Sequence, residues 1–199
     1  MLNTDYYHHI YNRGAHKVPI FHDSHDYERF LQLLYIGNST TSFHLSNLKK
    51  RDIYTIDREE TLVQIVSYCL MPNHFHLVLK EDTVKGITRF IRKICTGYSM
   101  YYNLKYLHSG TIFQGKYKSK VVTNDDYLRT LIQYVHLNPF GIEEPFMTKE
   151  AKKEYLAEAI NYSKKYEYSS FKDYLREKRP QNNIISRSDL DISITSPPP

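Results

Sequence analysis

The spacing of apolar side chains changes along the chain, and the changes predict a mixed α+β protein. An aromatic-rich run at residues 6–12 predicts a first strand, which Arg13 and Gly14 end. A helix is predicted to begin at Asp23 or Ser24, since either side chain can cap it, and to end at Gly37. Its apolar face carries residues at helical spacing, namely Tyr27, Phe30, Leu31 and Leu34.

The middle of the chain predicts a pair of strands after an ambiguous polar region. Residues 38–60 are mostly polar, and within them Ile53 to Ile56 predict a short strand or a hairpin arm. Residues 62–68 predict a strand that leads to a turn at Met71-Pro72-Asn73, and residues 74–79 predict the next strand. We expect these two strands to be adjacent and antiparallel.

The second half predicts three helices and one strand. Residues 85–104 predict an amphipathic helix whose apolar face must pack on the sheet. Residues 110–122 predict a loop and a strand, and a helix capped by Asn124 is predicted from Asp125 to Asn138. Residues 148–165 predict a last helix.

Length and composition indicate one soluble globular domain with extensions. The chain has 199 residues, of which 41% are hydrophobic and 25% are charged, and no run is apolar enough to span a membrane. The N-terminus lacks the basic start and apolar core of a signal peptide. We therefore expect a cytoplasmic, nucleoid-associated protein with no membrane partner.

Positive charge is concentrated in one segment. The net charge is +5, yet residues 83–124 contain no Asp or Glu. The cations of this segment are Lys85, Arg89, Arg92, Lys93, Lys105, Lys116, Lys118 and Lys120. Aromatic residues lie between them, as on surfaces that bind phosphates and stack unpaired bases. The alternatives are a solvated helix face and an edge strand that its lysines protect from aggregation.

Two histidines stand two residues apart in the strand predicted at residues 74–79. Side chains at positions i and i+2 of a strand point to the same face, so His74 and His76 could share a divalent metal ion. Phe75, Leu77 and Leu79 then point to the opposite face. A lone His-x-His is weak evidence for a metal site, since most histidines in proteins are partly buried hydrogen-bonding residues or surface residues.

The helix predicted at residues 125–138 has polar groups beside its core face. That face consists of Leu128, Leu131, Ile132 and Val135. Tyr127, Tyr134 and Asn138 align along its border, and His136 projects nearly opposite Tyr134. Tyr134 could therefore serve a site at this border, or simply hydrogen-bond to Asn138.

Several motifs together resemble the single-tyrosine HUH transposases, and among them the REP-associated tyrosine transposases. The motifs are Tyr11-Asn-Arg-Gly14, Met71-Pro-Asn-His-Phe-His-Leu-Val78, Phe113-Gln-Gly-Lys-Tyr-Lys-Ser119, Tyr134-Val-His-Leu-Asn-Pro139 and Tyr166-Glu-Tyr-Ser-Ser-Phe171. They occur in the family's order, and the resemblance as a whole covers roughly residues 6–175. The resemblance implies a ferredoxin-like antiparallel sheet flanked by helices, with the histidine strand near its centre.

The resemblance also implies a site and a substrate. His74 and His76 would bind Mg²⁺ or Mn²⁺, Asn138 would be the third ligand, and Tyr134 would be the nucleophile. The substrate would be single-stranded DNA beside a hairpin, cut and rejoined through a 5′-phosphotyrosine by a monomer or homodimer. The candidate DNA contacts are Arg13, Arg89, Arg92, Lys93, Lys116, Lys118 and Lys120.

The same resemblance suggests a domain organisation and marks departures from the family. Residues 1–147 would form the catalytic domain. Apart from the resemblance, helical spacing of apolar residues predicts a helical extension at residues 148–178, and polar composition predicts a disordered tail at residues 179–199. Residues 140–143 lack the family's basic residue, and Tyr166 and Tyr168 replace its tryptophans.

Two other functions are compatible with the same sequence. In one, the metal activates water and the protein is a nuclease. In the other, the protein binds nucleic acid without chemistry.

Overall fold

The computed structural model describes residues 6–41, 53–143 and 155–186. Four strands form one antiparallel sheet in the order β2-β3-β1-β4. The strands are β1 (Tyr7–Arg13), β2 (Val63–Met71), β3 (His74–Glu81) and β4 (Lys118–Val122). The main helices are α1 (Ser24–Ile36), α2 (Gly86–Tyr106) and α3 (Asp125–Leu137). The order βαββαβ confirms the predicted ferredoxin-like α+β fold, with the histidine strand β3 in the interior of the sheet.

Each face of the sheet has its own hydrophobic core. The first core joins Phe75, Leu77 and Leu79 of β3 to α1 and α2. The second joins Val78 of β3 to α3. Because successive side chains of a strand alternate between faces, His74 and His76 lie on the α3 face. The prediction that they share the face opposite Phe75, Leu77 and Leu79 is thus confirmed.

The segment that precedes β2 differs from its prediction. Ile53–Thr55 form a turn of 3-10 helix, not a strand or hairpin arm. Ile53 and Tyr54 are buried, and the Tyr54 hydroxyl donates a hydrogen bond to Glu28 of α1 at 2.8 Å. The packing of this turn against α1 explains the difference. Residues 42–52 of the ambiguous polar stretch lie outside the described residues.

The C-terminal region packs on β2, the outer strand of the sheet. Helices α5 (Leu156–Lys165) and α6 (Phe171–Tyr174) follow the short α4 (Phe140–Glu143). The Leu70 amide donates to the Tyr168 carbonyl at 2.9 Å, and the Ser170 amide donates to the Tyr68 carbonyl at 3.0 Å. Tyr168 also stacks on Tyr27 of α1, with ring centroids 3.8 Å apart. These contacts cover one edge of the sheet.

The tail predicted to begin at residue 179 differs from the structure over residues 179–186. Arg179 donates two hydrogen bonds of 2.7 Å to the Asp173 carboxylate, and Ile184 is only 1% exposed. A bidentate ion pair and a buried apolar side chain hold this segment against the domain. Residues 187–199, and residues 148–154 of the predicted last helix, lie outside the described residues.

His136 is buried on the side of α3 away from Tyr134, as predicted. Its Nε2 lies 2.8 Å from the Ser170 hydroxyl, and its Nδ1 has no hydrogen-bond partner among the described residues. Burial, with a smaller contribution from Arg179, lowers the pKa of His136 from 6.5 to about 3. Between pH 6.5 and pH 3, His136 therefore stays neutral in the folded protein, whereas the same imidazole becomes protonated in the unfolded chain.

This burial predicts acid destabilisation. Below pH 6.5 the unfolded chain takes up a proton that the folded chain does not, so stability is lost as the pH falls toward 3. Between pH 7 and pH 4.5 the loss in the free energy of unfolding from His136 alone is roughly 2–3 kcal/mol. The free energy of unfolding, measured with urea at both pH values, should fall less in His136→Phe than in the wild type. The difference between the two proteins should equal this amount. Equal losses in the two proteins would contradict the assignment.

Candidate active site

Helix α3 brings Tyr134 over the histidine strand. The Asn124 side chain accepts a hydrogen bond from the Tyr127 amide at 2.8 Å and so caps the helix start. The buried face of α3 packs on β2, β3 and β4. Tyr134, beside that face and 50% exposed, meets the edge of His76 with ring centroids 5.6 Å apart. A tyrosine and a histidine pair predicted separately from sequence therefore share one site.

His74 and His76 stand next to each other with their rings nearly perpendicular. Their centroids are 5.0 Å apart and the interplanar angle is 88°. His74 Nδ1 lies 2.6 Å from Asn73 Oδ1, and His76 Nδ1 lies 2.9 Å from His9 Nε2. Each ring thus has its Nδ1 engaged by a neighbour, so any further partner of the ring must approach its Nε2.

Burial keeps both imidazoles neutral near pH 7. It lowers the pKa of His74 to about 4, opposed by a hydrogen bond with Asn138 and assisted by Arg13. The pKa of His76 also lies well below its ordinary value, because of burial and the adjacent His74 and His9. Neutral imidazole is the form that binds metal ions.

Asn138 joins the nucleophile candidate to the histidine pair. It follows α3 directly, one turn beyond Tyr134, and its side chain hydrogen-bonds with both His74 and Tyr134. Burial raises the pKa of the Tyr134 phenol, while the hydrogen bond from Asn138 opposes that rise. The phenol is therefore protonated at neutral pH and needs assistance to act as a nucleophile.

An open cleft of about 560 Å³ surrounds these groups. The side chains around it are Tyr11, Asn12, Arg13, Asn73, His74, His76, Gln114, Lys116, Lys118 and Tyr134. Three of the predicted DNA contacts, Arg13, Lys116 and Lys118, are thus at the same cleft as the histidines and the tyrosine. Its cations suit a substrate that carries phosphates.

The turn after β1 holds Arg13 at the cleft. The Arg13 guanidinium donates to Gln114 Oε1 at 3.3 Å, and the backbone N–H of Gln114 donates to the backbone carbonyl of Arg13 at 2.8 Å. Gly14 allows this turn, since a Cβ there would lie 2.3 Å from the Val18 carbonyl oxygen. The motif Tyr11-Asn-Arg-Gly14 therefore has a geometric role at the site.

The other predicted DNA contacts lie in two different places. Lys120 of β4 pairs in register with His9 and contributes to lowering the pKa of His9, so it belongs to the cleft face. Arg89, Arg92 and Lys93 belong to α2, which packs on the opposite face of the sheet. Lys93 donates to the carbonyls of Ser39 and Thr41 at 2.7 and 2.6 Å. DNA binding by these residues stays a prediction.

The predicted ligand set fits a divalent cation by its chemistry. Within residues 6–41, 53–143 and 155–186, no group of three or more His, Cys, Asp or Glu side chains is arranged to hold a metal ion. Two neutral imidazoles and one amide oxygen nevertheless offer three suitable donors beside an open cleft. Such a set leaves coordination positions free for a substrate.

Two residues at the site were missed by the sequence reasoning. His9 and Tyr11 of β1 face the histidine strand, with Tyr11 paired in register with His76. The Tyr11 ring lies 5.9 Å from that of His76 and 5.0 Å from that of His9. Their spacing of two residues in a predicted strand could have placed both on one face.

Comparisons with known proteins agree with this geometry. Residues 44–138 match the family model described as Transposase IS200 like, and the match includes His74, His76, Tyr134 and Asn138. A sequence comparison with curated proteins finds no match. No helix in the described part of the chain is long and apolar enough to cross a membrane.

A solved structure has the same fold. It is a REP-associated tyrosine transposase bound to a REP hairpin, with 13% sequence identity and a TM-score of 0.56. The similarity covers 95% of this chain and 88% of that one. This chain is therefore similar to the IS200-like transposases over residues 44–138, and it shares the fold of the solved transposase structure over nearly its whole length.

Proposed function

We propose that this protein is a metal-dependent transesterase that cleaves and rejoins single-stranded DNA through Tyr134. The observation that carries the proposal is the meeting of Tyr134, His74 and His76 at one cation-rich cleft. The match of residues 44–138 to the family model described as Transposase IS200 like independently supports DNA processing.

In the proposed reaction, Tyr134 Oη attacks a DNA phosphorus. The Oη–P bond forms as the bond from phosphorus to the 3′-oxygen breaks, which gives a 5′-phosphotyrosine and a free 3′-OH. The phenol proton is lost to the solvent or to the leaving 3′-oxygen. One phosphodiester replaces another, so the step needs no nucleoside triphosphate and is reversible.

The side chains around Tyr134 have separate roles in the proposed reaction. Asn138 orients the Tyr134 hydroxyl by its hydrogen bond and favours the charged phenolate. Arg13 and Lys118 compensate the phosphate charge at the cleft. His74, His76 and Asn138 would hold Mg²⁺ or Mn²⁺, which when bound would supply Lewis-acid polarisation of a non-bridging phosphate oxygen.

The substrate we propose is single-stranded DNA next to a hairpin. The cleft is open and combines cations with the exposed or half-exposed rings of Tyr11 and Tyr134, which suits unpaired nucleotides. The similar solved structure is described as bound to a REP hairpin.

Formation of a covalent protein–DNA adduct tests the proposal. The protein would be incubated with Mn²⁺ and labelled single-stranded oligonucleotides that carry hairpins from DNA flanking its gene. Denaturing gels should then show a labelled band at the mass of protein plus DNA fragment. Metal-dependent cleavage with no such band would favour a nuclease that uses water.

Lys118 provides a separate test of the DNA path. It is exposed and pairs in register with Tyr11 at the cleft. We expect Lys118→Gln to weaken hairpin binding and to reduce the slope of log affinity against log salt by about 0.7, the value for one phosphate contact on a single strand. Lys165→Gln, an exposed lysine of α5, is the matched control and should leave the slope unchanged. Equal slopes for Lys118→Gln and the wild type would exclude this phosphate contact.

A further inference from the structure

We propose that His9 is a positioning residue that fixes the tautomer and the ring orientation of His76. In this arrangement the Nδ1–H of His76 donates to Nε2 of His9, which leaves the Nε2 lone pair of His76 free to bind a cation. The inference rests on the proposed metal site and adds a residue to it.

The contact between the two histidines is direct and buried. His9 Nε2 lies 2.9 Å from His76 Nδ1, and the two rings stack with centroids 5.1 Å apart and an interplanar angle of 25°. His9 is 8% exposed and His76 is 6% exposed. A hydrogen bond between rings so well shielded from water limits the orientations that His76 can adopt.

The sheet register places His9 where it can do this. His9 pairs with Val78, and Tyr11 pairs with His76, so His9 approaches His76 diagonally across β1 and β3. The Tyr11 ring lies next to both imidazoles, and the Tyr134 ring meets His9 edge-on with centroids 6.1 Å apart. Neighbours on several sides therefore hold the His9 ring in place.

The number of protons on a neutral imidazole determines which histidine must donate the hydrogen bond between His9 and His76 if His76 is to bind a metal ion. A neutral imidazole carries one proton, on either Nδ1 or Nε2. If His9 donated to His76 Nδ1, the proton of His76 would be on its Nε2 and would block metal binding there. If His76 donates, its Nε2 is available. His74 is held in the same way, by Asn73 Oδ1 at its Nδ1. Partners of this kind around metal-binding histidines affect metal affinity about 10- to 100-fold.

Two substitutions separate the acceptor role of His9 from its packing role. His9→Phe keeps a ring and removes the acceptor, whereas His9→Gln keeps an acceptor near the position of Nε2. By calorimetric titration with Mn²⁺, we expect the Phe variant to bind about 10- to 100-fold more weakly than the wild type, with much of the affinity kept in the Gln variant. His8→Gln, in the adjacent position of β1 on the other face, should bind Mn²⁺ like the wild type.

A measurement without metal tests the tautomer itself. Nitrogen-15 chemical shifts of the imidazoles distinguish the Nδ1–H form from the Nε2–H form. In the metal-free wild type, His76 should be in the Nδ1–H form, and His9→Phe should shift it toward a mixture. Thermal unfolding would establish that each variant folds, and His9→Leu would replace the Phe variant if the larger ring prevented folding.

The outcomes distinguish this inference from the proposed function. Wild-type Mn²⁺ affinity in a folded His9→Phe or His9→Leu variant would overturn the role of His9 while leaving the metal site intact. An Nε2–H tautomer of His76 in the wild type would do the same. A wild type that binds no Mn²⁺ would refute the metal site, and with it the role of His9.

Discussion

Replacing Tyr134 with phenylalanine is expected to abolish the covalent protein–DNA adduct and to lower strand cleavage by at least about 10³-fold. The substitution removes one hydroxyl, which is the proposed attacking atom, and retains the ring that meets His76. Because Tyr134 is half exposed, the change should leave thermal unfolding nearly unaffected. Loss of adduct would then reflect chemistry and not misfolding.

The same helix supplies the matched control. Tyr127 lies two turns earlier on α3, is 39% exposed and is not among the side chains around the cleft. Tyr127→Phe makes the same chemical change and should keep full activity. Tyr11→Phe should be made alongside, since Tyr11 is the other tyrosine at the cleft. An adduct that persists in Tyr134→Phe and disappears in Tyr11→Phe would reassign the nucleophile.

The Tyr134 result also separates the competing enzyme classes. A nuclease that activates water would cut DNA without Tyr134, so cleavage that survives in Tyr134→Phe would favour that reaction. A binding module would produce neither cleavage nor adduct in the wild type. Hairpin affinity should be similar in the wild type and Tyr134→Phe, because the hydroxyl is one small part of the cleft.

Replacing His76 with alanine is expected to lower both Mn²⁺ affinity and adduct formation by at least about 10²-fold. This loss should exceed the loss of Mn²⁺ affinity expected when a residue that hydrogen-bonds to a metal-binding histidine, such as His9, is replaced. His76 is central to the site, since its ring contacts or adjoins His74, His9, Tyr11 and Tyr134. His74→Ala should have a similar effect, because it removes the other imidazole and the hydrogen bond with Asn138. Calorimetry and the adduct assay measure the two losses separately.

Hairpin binding is the readout that should change least in these histidine variants. The cations at the cleft remain, so affinity in a buffer without divalent metal should stay close to that of the wild type. His25→Ala is the control, because its side chain is 85% exposed on α1, across the sheet from the cleft. Full adduct formation in His76→Ala with Mn²⁺ present would contradict a metal role for the histidine strand.

The sequence by itself determined the main strands and helices and the faces of the site residues. A period of two placed His74 and His76 on one face of β3, and helical spacing placed Tyr134 and Asn138 beside the core face of α3. Helical spacing also placed His136 away from Tyr134, where the structure buries it. These features are local, because the backbone geometry of one strand or helix sets which side chains share a face.

Only the tertiary structure decided which of these faces meet. The packing of α3 on the sheet brings Tyr134 over His76, and the strand order places His9 beside the same histidine. It also separates the lysines of β4 from the cations of α2 and directs Lys93 to the carbonyls after α1. Such contacts depend on strand order and on the packing of distant segments, which the period of a single element does not specify.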